Sequence, residues 1–222
     1  MKKTILLLLS SIAFLITHAQ SDLVKNIFRM LPADKVYNLS VATRDSMLAG
    51  KTYYPVENDS NEIVAYNYGI SRDIDDYLYV SLSFETAQRA TGMIELRIFK
   101  MLNGDKLVLV SQTGGVWQVT YHQHETAVFV YGKNKKLIPY KKKIFPLATE
   151  NIFMKPGIPD SLKKEVLDNS NMTFDLSKEK LVLSLNSNAI SNNETLRKWL
   201  KGDSIDFAWT KDHFVPGKVE FQ

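Results

Sequence analysis

Between Lys51 and Tyr131 the apolar residues fall on every second position, and a period of two dictates strands rather than helices. Asp76–Phe84 shows it most clearly. Leu78, Val80, Leu82 and Phe84 share one face, and Tyr77, Tyr79, Ser81 and Ser83 share the other. Such a strand is expected half-buried in an antiparallel sheet. Met93–Lys100 repeats the device, with Ile94, Leu96 and Ile98 opposite Glu95 and Arg97. Thr52–Val56, Glu62–Ile70, Lys106–Gln112, Val116–His122 and Thr126–Tyr131 also read as strands, with Asn103-Gly104-Asp105 as a tight turn and Gly114-Gly115 as a separator. Short connections between successive strands predict a meander.

Helical spacing flanks this region. Ser21–Gly50 reads as two short helices in tandem, the first carrying Leu23, Ile27 and Met30/Leu31, the second opening at Ala33-Asp34 and capped by Gly50. The six tyrosines of the first strands, Tyr53, Tyr54, Tyr66, Tyr68, Tyr77 and Tyr79, are expected to lie beneath these helices, which need a sheet face to cover. From Pro159 the pattern becomes helix, strand (Met172–Leu176), strand (Lys180–Leu185), helix (Asn192–Leu200) and strand (Ile205–Thr210), with Val215–Phe221 as a last extended piece. The expected class is α+β: N-terminal helices packed on an antiparallel β-meander sheet, with a C-terminal helix-strand-helix-strand extension. No strand, glycine-rich turn and helix occur in series, which argues against a dinucleotide site.

The first twenty residues read as a secretory signal peptide. Lys2 and Lys3 precede an apolar run from Ile5 to Ile16, and Thr17-His18-Ala19 supplies a small-x-small cleavage site. The run is short for a membrane span. Residues 21–222 are then expected as one domain, with 159–222 as a sub-lobe, located in the periplasm or secreted. Of 28 Lys and Arg, 26 remain after Lys2 and Lys3 are removed, against 24 Asp and Glu. That near balance gives no case for nucleic-acid binding. The chain has no cysteine, which excludes disulfides, thiol nucleophiles and thiolate metal sites. No second apolar window suggests a transmembrane segment in the mature chain.

Several segments resemble an exported bacterial family classed only as a domain of unknown function. They are Asn26–Pro32, Leu48-Ala49-Gly50-Lys51, the strand Asp76–Leu82, and Leu107–Gly115 leading to Ala127–Tyr131, followed by a loop with Pro146 and Phe153. The resemblance spans about the first two-thirds of the chain. It implies a single exported domain and brings no activity and no site residue.

Two constellations carry chemistry. Lys133, Lys135, Lys136, Lys141, Lys142 and Lys143 place six lysines in eleven residues, with Tyr140 among them. They suit an anionic partner: an envelope protein, a glycan or an anionic surface. His122 and His124 stand two apart on an expected strand, a spacing that puts both imidazoles on one side for a metal, with His213 or a carboxylate as third ligand. That pair supports the alternative of a metal-dependent hydrolase. The acidic stretch Asp73-Ile74-Asp75-Asp76 lacks the glycine and glutamate of a calcium loop and reads as turn capping. No nucleophile elbow or other complete catalytic motif is present, and no cofactor is implied. A non-enzymatic exported binding protein is the leading expectation.

Overall fold

The computed structural model describes residues 23–57, 63–71, 76–84, 90–116, 122–142, 144, 150–177, 179–186 and 193–222. Of these, 53–71, 84, 90, 115–116 and 122–124 are described by backbone alone. The expected signal segment and the acidic stretch at 72–75 lie outside the described residues. So do Lys143 and the side chains of His122, His124 and the four tyrosines of the first two strands.

The fold is α+β. An N-terminal helix, α1 (23–30), is followed by a single 3-10 turn at Ala33–Lys35 and by α2 (Val41–Leu48). Seven strands then form one antiparallel meander in sequence order: β1 (Tyr53–Glu57), β2 (Ile63–Ser71), β3 (Tyr77–Phe84), β4 (Ala90–Lys100), β5 (Lys106–Val116), β6 (His122–Tyr131) and β7 (Leu137–Pro139). After a 3-10 turn at Glu150–Phe153 comes α3 (Asp160–Asn169), then β8 (Asn171–Asp175), β9 (Leu181–Asn186), α4 (Glu194–Lys198), β10 (Ser204–Trp209) and β11 (Phe214–Glu220). Strands β8 to β11 make a second antiparallel sheet, again in sequence order. Among the described residues no helix is long and apolar enough to cross a membrane.

The first sheet is buried on both faces. On one, Leu78, Val80, Leu82, Ile94, Leu96, Ile98, Val108 and Val110 pack with Val24, Ile27, Phe28 and Leu31 of the N-terminal segment and Met47 of α2. On the other, Tyr77, Leu107 and Leu109 join Val166 of α3, Leu196 of α4, and Leu181, Leu183, Leu185, Ile205, Phe207 and Phe214 of the second sheet. This corrects the half-buried expectation. The tyrosine row of β3 does not lie under the helices; Tyr77 and Tyr79 face the C-terminal sheet, and the helices take the aliphatic side.

The N-terminal segment is locked by polar contacts. Arg44 of α2 is almost fully buried and donates from Nη1 to the carbonyls of Phe28 (2.6 Å) and Leu31 (2.8 Å). Those are orphan acceptors at the end of α1, and a cation there also suits the helix dipole. Helix α2 starts at Val41, later than the sequence suggests, because Tyr37 and Asn38 both adopt positive φ and break the run begun at Ala33. Ser40 then caps α2, its Oγ accepting from the Thr43 N–H at 3.0 Å. Buried Gln112 of β5 holds the intervening turn, accepting from the Tyr37 N–H (2.7 Å) and donating to the Asp34 carbonyl (3.1 Å).

Gly114-Gly115 is not a turn. β5 runs through both to Val116 and β6 begins at His122; most of the strand expected at Val116–His122, residues 117–121, lies outside the described residues. Gly114 pairs with Gly92 across β4 and β5, and the Tyr37 ring lies over the pair. A Cβ at Gly114 would stand 2.6 Å from both the Thr91 carbonyl oxygen and the Tyr37 hydroxyl. The Thr91 backbone cannot yield without disturbing the ladder. Gly114→Ala is therefore expected to lower unfolding free energy by about 1–3 kcal/mol, the usual range for overpacking, measured by urea denaturation.

Candidate functional site

The lysine cluster of the sequence divides in the structure. Lys133, Lys135 and Lys136 sit exposed on the β6–β7 turn, where Lys135 takes positive φ and the Asn134 side chain accepts from the Lys136 N–H. Lys141 and Lys142 are exposed beyond β7, along the sheet edge. Tyr140 is half-buried, packs against the second core and donates its N–H to the Val128 carbonyl at 2.9 Å.

Two further turns join the β6–β7 turn in series. In the β4–β5 turn, Asn103 and Asp105 brace one another: Asn103 Nδ2 donates to Asp105 Oδ2 (2.7 Å) and the Asp105 N–H donates to Asn103 Oδ1 (3.0 Å). Asp105 Oδ1 also accepts from the Lys133 N–H at 3.2 Å, tying this turn to the lysine turn. The third is the β10–β11 turn, whose Lys211 carbonyl accepts from the Leu102 N–H at 3.1 Å. Beneath them Trp209 donates from Nε1 to the Lys100 carbonyl (2.8 Å) and forms a tilted, edge-to-face cluster with Phe99 and Phe214, the ring centroids lying 4.8–5.7 Å apart. These aromatic contacts pin the ends of the two sheets together.

The result is a basic end carrying Lys100, Lys106, Lys133, Lys135, Lys136 and Lys211. Lys100 and Lys106 are direct cross-strand partners, a like-charge arrangement that costs stability. Among the described residues none of these six lysines is in an ion pair. Leu102 stands in their midst with 75% of its surface exposed. The lysine run was readable in the sequence. Lys100, Lys106, Lys211 and Leu102 were not, since nothing local places residue 211 beside residue 102.

The histidine pair is differently placed. β6 pairs Gln112 with Glu125, Thr113 with Gln123 and Gly114 with His122, so the ladder skips His124 and the period of two is interrupted there. Glu125 forms an ion pair with Lys35, which also lies 3.0 Å from Asp34 Oδ2. Both hydrogen bonds hold the Lys35 ammonium above its ordinary pKa, that to Glu125 contributing most. His213 is on the β10–β11 turn, beside the Tyr131 end of β6. His122 is about 30 Å away at strand rise, toward the opposite end of that strand. Among the described residues no group of three potential metal ligands occurs.

A second polar group lies between the sheets. Tyr77 donates from its hydroxyl to Glu95 Oε1 at 2.8 Å, and buried Arg97 donates from Nη1 to the Leu176 carbonyl at 2.8 Å. Glu95 in turn accepts from the Leu176 N–H. The two charged side chains of β4 thus hold the peptide groups on either side of Leu176, just after β8. Burial raises the Glu95 carboxyl above its ordinary value and outweighs the hydrogen bonds that oppose this; burial also raises the Tyr77 hydroxyl. The arrangement serves docking of the sheets.

No family model matches the chain, and no curated protein matches it. The chain is similar to a solved structure described as a domain of an uncharacterized protein from Porphyromonas gingivalis W83, with a TM-score of 0.53 and 15% identity over 87% of this chain and 96% of that one. At that identity the likeness is one of fold.

Two predictions follow from the inter-sheet contacts. With the folded pKa of Glu95 raised above 4.5, the folded state retains this proton where the unfolded chain has lost it. The stability it contributes is present in acid and falls as pH rises from about 4.5 through the folded value. Glu95→Gln is expected to remove that fall, so its melting temperature should gain on the wild type between about pH 4 and pH 7. Arg97→Ala strands the Leu176 carbonyl and is expected to cost about 1–3 kcal/mol in chemical denaturation.

Proposed function

We propose that this is a non-enzymatic, exported envelope protein that binds an anionic surface through its basic end. The supporting observation is the gathering of six lysines, without ion-pair partners among the described residues, around three turns, two of which hydrogen-bond to the β4–β5 turn between them. Charges left unpaired and forced together, as at Lys100 and Lys106, are stabilised by an external anion. The turns are held by hydrogen bonds within and between them, so little ordering is needed on binding. The Lys2-Lys3 n-region and apolar run supply the argument for export.

The test is co-sedimentation with isolated bacterial envelopes at low and high salt. Exposed charges are screened over about 10 Å at 0.1 M salt, so binding should fall steeply with ionic strength. Reversing Lys133, Lys135 and Lys136 to Glu should lower it by about tenfold or more without changing the melting temperature. Equal binding by the charge-reversed variant would overturn the reading.

A further inference from the structure

We propose that the anionic surface is a phospholipid bilayer and that Leu102 enters its interface while the surrounding lysines meet the headgroups. This rests on the preceding reading of the basic end and names its ligand. Leu102 is the most exposed large hydrophobic side chain among the described residues, at 75%. It is not on a frayed loop. The Met101 N–H donates to the Asp105 carbonyl (3.0 Å), the Gly104 N–H to the Met101 carbonyl (3.1 Å), and the Leu102 N–H to Lys211 (3.1 Å). Its turn is further braced by the Asn103–Asp105 side-chain pair. The fold therefore fixes a bare leucine at the tip of a basic end.

A hydrated glycan or a flexible polyanion offers that leucine no apolar surroundings. A bilayer does, because an apolar group can enter the boundary between headgroups and acyl chains while cations stay at the phosphates. Lysine stems suit the same depth, since their methylenes lie along apolar surface with the ammonium in water. Asp105, next to Lys106 in sequence, is occupied by the Lys133 N–H and Asn103 Nδ2. Asp212, exposed on the third turn, is the opposing charge the lysines must outweigh.

The experiment is vesicle flotation of the purified protein with phosphatidylglycerol mixed into phosphatidylcholine, and with pure phosphatidylcholine as reference. The wild type should float with the anionic vesicles only. Leu102→Asp should weaken this by about tenfold, the order expected when one leucine is kept out of an apolar medium. The control Val41→Asp, on α2 and also exposed, should float like the wild type. The Lys133, Lys135 and Lys136 reversal should abolish flotation. Melting temperatures establish that each variant is folded. If Leu102→Asp floats like the wild type while the lysine variant does not, insertion is wrong and the electrostatic reading stands. Binding to whole envelopes without binding to anionic vesicles also rejects the bilayer alone. If the lysine variant floats unchanged, both readings fail.

Discussion

The peptide groups flanking Leu176 are gripped by two charged side chains of β4, and much of the molecule's arrangement depends on that grip. A strand with Glu95 and Arg97 in its middle cannot bury that face against hydrocarbon alone, because an unpaired buried charge is far too costly. It needs a second layer that brings a donor for the carboxylate and an acceptor for the guanidinium at matched positions. The segment after β8 supplies both from one stretch of backbone. Once that register is set, β9 and β10 lie over Leu107 and Leu109, and Trp209 reaches the end of β4. The β10–β11 turn is thereby delivered to the β4–β5 turn. Contacts deep between the sheets determine which lysines meet at the surface.

Much of this was legible in the sequence and some was not. The alternation in β3 and β4 and the helix after Pro159 follow local chemistry, and the structure reproduces them; the helix expected over Asn192–Leu200 is the shorter Glu194–Lys198. The choice of face did not follow. In β3 both rows are apolar enough to be buried, so the pattern of Leu and Tyr says that the strand has two sides without saying which layer each receives. Gly114-Gly115 misled for a related reason: adjacent glycines usually mark a turn, and here one of them makes room for a ring from 77 residues earlier in the chain. Arg44 and Gln112 likewise act on residues far away in sequence. The lysines of the β6–β7 turn could be read directly, but their neighbours could not. Their gathering depends on how the second sheet docks.

The basic end gathers like charges onto neighbouring turns. Elsewhere some exposed charges find opposites, as in Arg29 with Asp45 at 2.5 Å and Lys180 with Asp206 at 2.6 Å. At the three turns like charges are set side by side and an apolar side chain is left in water. Departures from local consistency of this kind are expected at functional sites.

The Gln112 clasp on the turn at Asp34–Tyr37 also governs the order in which the chain can assemble. Both sheets are sequential meanders, so each strand finds its neighbour soon after it emerges, with little loop to close. The N-terminal helices are the exception. They come first in the chain, yet the groove that receives the Tyr37 ring does not exist until Gly92 and Gly114 have paired. A residue near the start of the described chain thus waits for β5, some 75 residues further on, before its ring has a seat.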